Sequence, residues 1–415
     1  MRNLRMTNKK LLFIWNYHYF PFEKGKSRFS DLLDAFVKKE GYQVEVITSS
    51  FYHMGKTQRD IADPKYQSLG YKVTFVKEPG YKKNVSFARI RSMNHFNAGV
   101  RRYLQKHNPV DVVYVPVPSI KLAAIAEKWS RLIKAKCVID VEDLWPESFQ
   151  MIIKGKAFYH ALTWPLKKQA DKVYRNADAV ITVSQTYMDR VRQARQDSFA
   201  HVVAPIGADI DYAHSIIGKN AVIKPDGEFW ISYIGTFGKS YDLKIVIDAV
   251  SSLNQAYFSN IHLKLLGSGP EENELKRYAA KQGGNIDFVG LLPYDKMCQY
   301  LAASDLGVNP IVGNSVASLI NKVADYAACS LPVLNTQLCP EYEKMLSDCN
   351  AGLNVENGSS VALQKAILIC LKNPQKLAEL KKGAQELSLH YLSRAKSQSD
   401  ILALIASIYG IKSQK

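Results

Sequence analysis

The stretch "DVVYVPVPSIKLAAIAEKWSRLIKAKCVIDVED", residues 111–143, decides the fold. It opens with the apolar β-type run "DVVYVPV", passes into a helical run from Lys121, and returns to an apolar run in "KCVIDVED". Strand, helix and strand in that order are the unit of a parallel sheet wrapped by helices. Upstream the rhythm continues through "KLLFIWNYHY", a helix from about Ser30 to Glu40, "QVEVITSS", "KVTFV" and a helix around residues 87–107. Downstream it passes "ADAVITVSQTYMDRV" and "HVVAPIGADID", then starts afresh. "FWISYIG", "DLKIVIDAVSSLNQ", "IHLKLLG", "ENELKRYAAKQ", "IDFVG", "DKMCQYLAASDLGVNP" and "LPVLN" form a second alternating set. Two α/β lobes are expected, each a doubly wound parallel sheet. Their boundary is expected near residues 205–225, where "APIGADIDYAHSIIGKNAVIKPDGE" mixes Gly, Pro and Asp in linker fashion.

A length of 415 residues suits this division, and 47% hydrophobic with 22% charged residues is ordinary globular composition. Apolar runs such as "ILALIASIYG" fall well short of the roughly 20 residues that span a bilayer, so no transmembrane helix is expected. The opening "MRNLRMTNKKLLFIWNYHYF" is basic and then apolar, as in a signal peptide. Asn16 and His18 interrupt the apolar part and no small-residue cleavage site follows, so it reads as a first strand. The six cysteines form no CxxC pair and several lie in core-like runs, which fits a reducing cytoplasm.

The net charge of +17 is unevenly spread. Residues 1–200 carry 35 Lys and Arg against 18 Asp and Glu, whereas residues 201–415 carry 20 of each. Such asymmetry points to an anionic partner for the first lobe alone, a membrane surface or a nucleic acid. No stacked-aromatic signature of RNA-binding modules accompanies it, which disfavours nucleic acid.

Open parallel sheets bind ligands beyond the carboxyl ends of their strands, in loops that lead into helices. After the first strand, "PFEKGKSRFSDLLDAF" offers Gly25, which permits close backbone approach, with Lys26 beside it, and Ser30 as a helix cap. After "WISYIG", Thr236, Gly238 and Lys239 in "TFGKSYDL" suit phosphate oxygens. Neither loop contains GxGxxG or GxxxxGK[ST], which disfavours dehydrogenases and P-loop NTPases. "DID" at 209–211 is a weak metal signal, and the histidines show no ligand spacing, so no metal site is expected.

Four stretches together resemble the GT-B glycosyltransferases, specifically the retaining family-4 type of bacterial surface-polysaccharide synthesis: "DVEDLWPES" (140–148), "YIGTFGKSYDL" (233–243), "LLGSGPEENELK" (265–276) and "INKVADYAACSLPVL" (320–334). The likeness spans roughly residues 10–390. It implies two Rossmann-like lobes facing a central cleft: an acceptor-binding domain at 1–210, basic and membrane-facing, a nucleotide-sugar domain at 211–386, and a helix at 387–415 that returns to the first domain. It implies that Asp325 bonds the ribose hydroxyls of a nucleoside diphosphate sugar, most simply a UDP-sugar. Lys322, three residues earlier, is placed on the same helix face, and Lys239 and Lys322 stabilise the departing diphosphate. Gly235 and Gly267 belong to the donor loops, and the helix N-terminus near Asn321 favours phosphate.

Two positions depart from the family pattern. The first of its paired glutamates falls on Ala317, with Ser315 and Ser318 as substitutes for its contacts. The histidine that often precedes an aspartate in the first lobe is replaced by Glu142 before Asp143. Asp143 and Glu147 are expected to border the acceptor pocket. No cofactor beyond the donor is implied. The acceptor implied is a glycan on polyprenyl diphosphate at the inner face of the plasma membrane, where the protein would be cytoplasmic and peripheral. "KGKAFYHALTWPLKKQADKVYR" (154–175) and "YKKNVSFARIRSMNHF" (81–96) mix aromatic and basic residues as an interfacial surface does. The competing reading is a non-catalytic GT-B protein that binds a nucleotide or a partner enzyme.

Overall fold

A computed structural model describes residues 9–410 except 25–26, 152, 154, 220–221, 257 and 314–318. The chain divides into two compact units, Met1–Ala204 with Gln398–Lys415, and Pro205–Ser397.

The first unit holds strands β1 (Lys10–Ile14), β2 (Gln43–Ser49), a small hairpin β3 (Phe51–Tyr52) and β4 (Thr57–Gln58), β5 (Lys72–Val76), β6 (Val112–Val117), β7 (Lys136–Val141), β8 (Ala179–Thr182) and β9 (Ala200–Val203). The hairpin stands apart, and the other seven form one parallel sheet in the order β5-β2-β1-β6-β7-β8-β9. Residues 112–117 are buried throughout, as a strand covered on both faces requires. Helices α1 (Pro21–Lys24), α2 (Arg28–Lys38), α3 (Phe87–Leu104), α4 (Ile120–Leu132), α5 (Lys156–Asn176) and α6 (Gln185–Ala194) lie between the strands in sequence. The cap of α2 is Ser27 rather than Ser30: Ser27 Oγ accepts from Ser30 N at 3.1 Å, and Ser30 Oγ accepts from Ser27 N at 2.7 Å. Two serines three residues apart form a reciprocal capping box, which moves the helix start two residues earlier than expected. Strand β1 is also shorter than expected, because the chain turns at residues 16–17.

The second unit holds β10 (Phe229–Thr236), β11 (Ile261–Ser268), β12 (Asn285–Gly290), β13 (Leu306–Asn309), β14 (Val333–Asn335) and β15 (Gly352–Asn354), parallel in the order β12-β11-β10-β13-β14-β15. Its helices are α7 (Ile210–Ile217), α8 (Leu243–Gln255), α9 (Glu272–Gln282), α10 (Tyr294–Ala303), α11 (Asn321–Ala328), α12 (Pro340–Cys349), α13 (Ser360–Lys372) and α14 (Pro374–His390). The linker-like stretch is partly a helix. Asp209 accepts from Tyr212 N at 3.1 Å and so caps α7, whose Ile210, Ala213 and Ile216 join the second unit's core. That assigns Asp209 a capping role.

The last helix, α15 (Arg394–Gly410), begins in the second unit and continues in the first, where Ile401, Leu404, Ile405 and Ile408 share a cluster with Phe13, Phe29 and Tyr114. Gln398 Nε2 donates to Asp31 O at 2.6 Å in the same unit.

Candidate functional site

In the second unit, Gly235 of β10 pairs with Gly267 of β11 one residue before both strands end. Gly267 has φ +153°, and a Cβ there would stand 1.8 Å from Gly235 O, so only glycine allows the two strand ends to approach this closely. A Cβ on Gly235 would meet the Lys322 amine at 3.1 Å; its absence leaves that amine room at the strand end. Helix α11 delivers Lys322 and is held by Tyr326, whose hydroxyl accepts from Ile234 N at 3.0 Å and donates to Val308 O at 3.1 Å. These bonds tie α11 to the carboxyl halves of β10 and β13.

Lys322 is 9% exposed. Its Nζ lies 3.7 Å from the ring centre of Tyr241 and 4.1 Å from that of Tyr233, and has no hydrogen-bond partner among the described residues. Burial lowers its pKa from 10.5 to about 7. Ring faces attract an ammonium but do not replace its lost hydration, so the amine remains a ready receptor for an anion. Asp325, one turn on, accepts from Tyr294 OH at 3.2 Å. Burial pushes its carboxyl up to about 6, opposed by Tyr294 and by the charge of Arg394. Cation and carboxylate thus keep separate company on α11, Lys322 with Tyr233 and Tyr241, Asp325 with Tyr294 and Arg394.

Gly235, Thr236 and Lys239 are exposed, and Gly238 is partly so. Asn321 is exposed at the first position of α11, which has no side-chain cap. Ser315, Ala317 and Ser318 lie outside the described residues, as do Gly25 and Lys26.

In the first unit, Asp140 at the end of β7 accepts two bonds from Arg28 Nη2, at 2.8 and 3.1 Å, and one from Tyr114 OH at 2.5 Å. Glu142, which follows, stands 3.9 Å from Arg28 Nη1; burial and the neighbouring Asp140 and Asp143 raise its pKa against the pull of Arg28. Asp143 accepts from Trp145 Nε1 at 3.0 Å and is raised by burial. Glu147 is drawn into an ion pair with Arg190, which also holds Asp171 at 2.7 Å. Glu147 therefore has a structural partner in Arg190, as Asp140 has in Arg28, which leaves Glu142 and Asp143 as the less tightly paired carboxyls at this strand end.

The chain matches the family model "Glycosyl transferase 4-like domain" over residues 27–207 and "Glycosyl transferases group 1" over residues 228–373. The chain belongs to the GT-B glycosyltransferases. Among solved structures, it is similar to the Anabaena protein Alr3699/HepE in complex with UDP, at 16% identity over 96% of this chain and 100% of that one, with a TM-score of 0.66. It is also similar to sucrose-phosphate synthase from Thermosynechococcus elongatus, at 15% identity over 97% and 100%, TM-score 0.67. A third is WaaG, a glycosyltransferase involved in lipopolysaccharide biosynthesis, at 16% identity over 94% and 98%, TM-score 0.61. No protein among the curated sequences matches the chain.

Several residues around the sites of this glycosyltransferase escaped sequence reasoning. Tyr233 of β10, Tyr241 of the loop after it, Tyr294 of α10 and Arg394 of α15 surround α11, and Arg28 reaches Asp140 across 112 positions. Among the described residues, no group of three His, Cys, Asp or Glu is arranged to hold a metal, and no helix is long and apolar enough to cross a membrane. Helix α5 exposes Phe158 (64%) and Trp164 (57%) beside exposed Lys167, Lys168, Lys172 and Arg175, while Tyr159 turns into the core. Phe87 on α3 is 91% exposed.

Proposed function

We propose that this glycosyltransferase moves a sugar, with retention and without a metal, from a UDP-sugar to a lipid-linked glycan in surface-polysaccharide assembly. The observation that carries the donor half is the buried Lys322 amine beside Gly235, without a hydrogen-bond partner among the described residues. An ammonium enclosed by two tyrosine rings gains little from water and much from a diphosphate. Loss of the sugar places negative charge on the leaving diphosphate, and a fixed cation there favours the transition state. Lys239, on the loop after β10, supplies a second cation, and the Asp325 carboxylate accepts from ribose hydroxyls. That Alr3699/HepE was solved with UDP and with UDP-glucose supports a uridine donor by analogy.

The acceptor half rests on charge and surface. The first unit's basic excess, and the aromatic and cationic face of α5, suit a peripheral site on the cytoplasmic leaflet of an anionic membrane. Asp143 and Glu142 stand at the strand end where an acceptor hydroxyl would enter. The test is a panel of nucleotide sugars offered to the purified protein, read first as a thermal shift and then as transfer to a prenyl-diphosphate-linked sugar. A shift with uridine donors followed by transfer supports the reading. Binding without transfer to any acceptor would favour the non-catalytic alternative, which the loss of a carboxylate at Ala317 keeps in play.

A further inference from the structure

Arg89 is unusual for a charged residue at a strand-end surface. It stands in the first turn of α3 with its guanidinium 5.5 Å from the ring centre of Tyr17, 5.7 Å from Tyr81 and 5.5 Å from Trp145. These rings follow β1, β5 and β7, so the guanidinium lies over the carboxyl edge of the sheet, where open α/β sheets take ligands. Its Nη1 donates to Asn84 O and its Nη2 to Tyr17 OH, each at 2.9 Å, while its Nε is buried without a partner among the described residues. Two carboxylates that feel its charge bond elsewhere: Asp143 to Trp145 Nε1 at 3.0 Å and Glu78 to Ser92 Oγ at 2.8 Å.

A second cation is held alongside. Lys56 Nζ lies 4.9 Å from the centre of Tyr81, donates to Asn84 Oδ1 at 2.7 Å, and is 3.1 Å from His53 Nδ1. His53 Nδ1 is also 2.6 Å from Tyr81 OH. Burial, then the charges of Lys56 and Arg89, hold His53 down at about 4, so its ring is neutral at neutral pH. Lys56 itself has φ +55°, a sparsely populated conformation for a residue with a side chain, which the hairpin imposes. Two cations share an aromatic frame, and among the described residues neither has a carboxylate within 4.0 Å.

We propose that Arg89, framed by Tyr17, Tyr81 and Trp145, and Lys56, set against Tyr81, form a phosphate-recognition subsite in the first unit that takes the diphosphate of the acceptor. The inference rests on the acceptor reading above and names its site. A forked guanidinium and a point ammonium match the oxygens of a phosphate better than those of a neutral sugar. The tyrosine rings restrict both cations before the ligand arrives, which lowers the ordering cost of binding.

The test is calorimetric titration of the full chain, first saturated with UDP so that phosphate sites of the second unit are filled. Inorganic diphosphate and farnesyl diphosphate serve as probes. Both are expected to bind, and at least tenfold more weakly to Arg89→Gln and to Lys56→Gln. A preference for farnesyl diphosphate assigns the subsite to a lipid carrier, and equal binding assigns it to a water-soluble phosphate ester. Lys56 lies on a hairpin at the surface, so Lys56→Gln decides the matter if Arg89→Gln fails to fold. No binding of either probe, or wild-type affinity in Lys56→Gln, would overturn the proposal. Failure of UDP itself to bind would count against the donor reading, and the comparison of wild type with Lys56→Gln would then decide this subsite alone.

Discussion

At the scale of single residues, α11 carries two groups displaced from their usual protonation by burial, and the displacements have opposite consequences for ligand binding. Lys322 is at about 7 in the free protein. A diphosphate beside it favours the charged form, so binding a UDP-sugar at pH 8 is expected to take up a proton. Asp325 is at about 6, and ribose hydroxyls that donate to it favour the ionised form, so binding near pH 5.5 is expected to release one. A UDP-sugar is the right probe because its phosphates are diesters with no ionisation of their own near neutrality. Calorimetry in buffers of different ionisation enthalpy reads both signs. Asp325→Ala should weaken donor binding at least tenfold, since each charge-assisted bond contributes about 1.5–3 kcal/mol. Lys322→Ala should lose turnover more than affinity.

Lys322 should also cost the fold stability. Between about pH 7 and 10.5 the unfolded chain holds this proton and the folded chain does not, so wild-type stability rises with pH across that window. Lys322→Met is therefore expected to raise the unfolding free energy by about 1–3 kcal/mol at pH 6 and by less at pH 10. A denaturant titration at both values decides it. That Lys322 and Asp325 share one helix was readable in the sequence from the run before "ACSLPV"; their separate surroundings were not. Tyr294, Tyr241 and Arg394 were not readable. They arrive through sheet register and chain return, which leave no periodic trace near the residues they surround.

Secondary-structure elements were the most legible level, because buried parallel strands are nearly continuous apolar runs and their helices alternate with them. Ends were less so: the cap of α2 moved from Ser30 to Ser27, and a supposed linker contains α7. Glycines at strand ends gave a signal whose reason appears only in three dimensions. Gly267→Ala is expected to destabilise the second unit by roughly 3 kcal/mol or more, since its Cβ would overlap Gly235 O at an unfavourable φ. A fall in the thermal midpoint of more than about 5 °C would be consistent with it. For α5, glutamine at Lys167, Lys168, Lys172 and Arg175 should release the protein from anionic liposomes, because each basic residue near such a surface contributes about 1 kcal/mol. Unchanged flotation would remove this helix from the membrane proposal.

At the scale of the whole molecule, the two units have separate cores, and each should report separately on its ligands. Calorimetric unfolding is expected to resolve two transitions, with UDP raising the one that belongs to residues 205–397. Deleting residues 398–415 takes Ile401, Leu404, Ile405 and Ile408 from the other core, and should lower its transition while the UDP-sensitive one stays near its place. Loss of both together would mean that the units do not unfold independently.

The route of the chain has a consequence for its birth. A ribosome releases residues 9–204 long before it reaches 398, yet the first core is complete only when the last helix arrives. At about 5–20 residues per second the interval is roughly 10–40 s. During that time the second unit, contiguous in sequence, is free to finish, whereas the first must persist as a nascent intermediate with apolar side chains uncovered. Of the two units, the one made earlier is thus the one that matures later, and it is there, on the translating ribosome, that chaperone protection matters most.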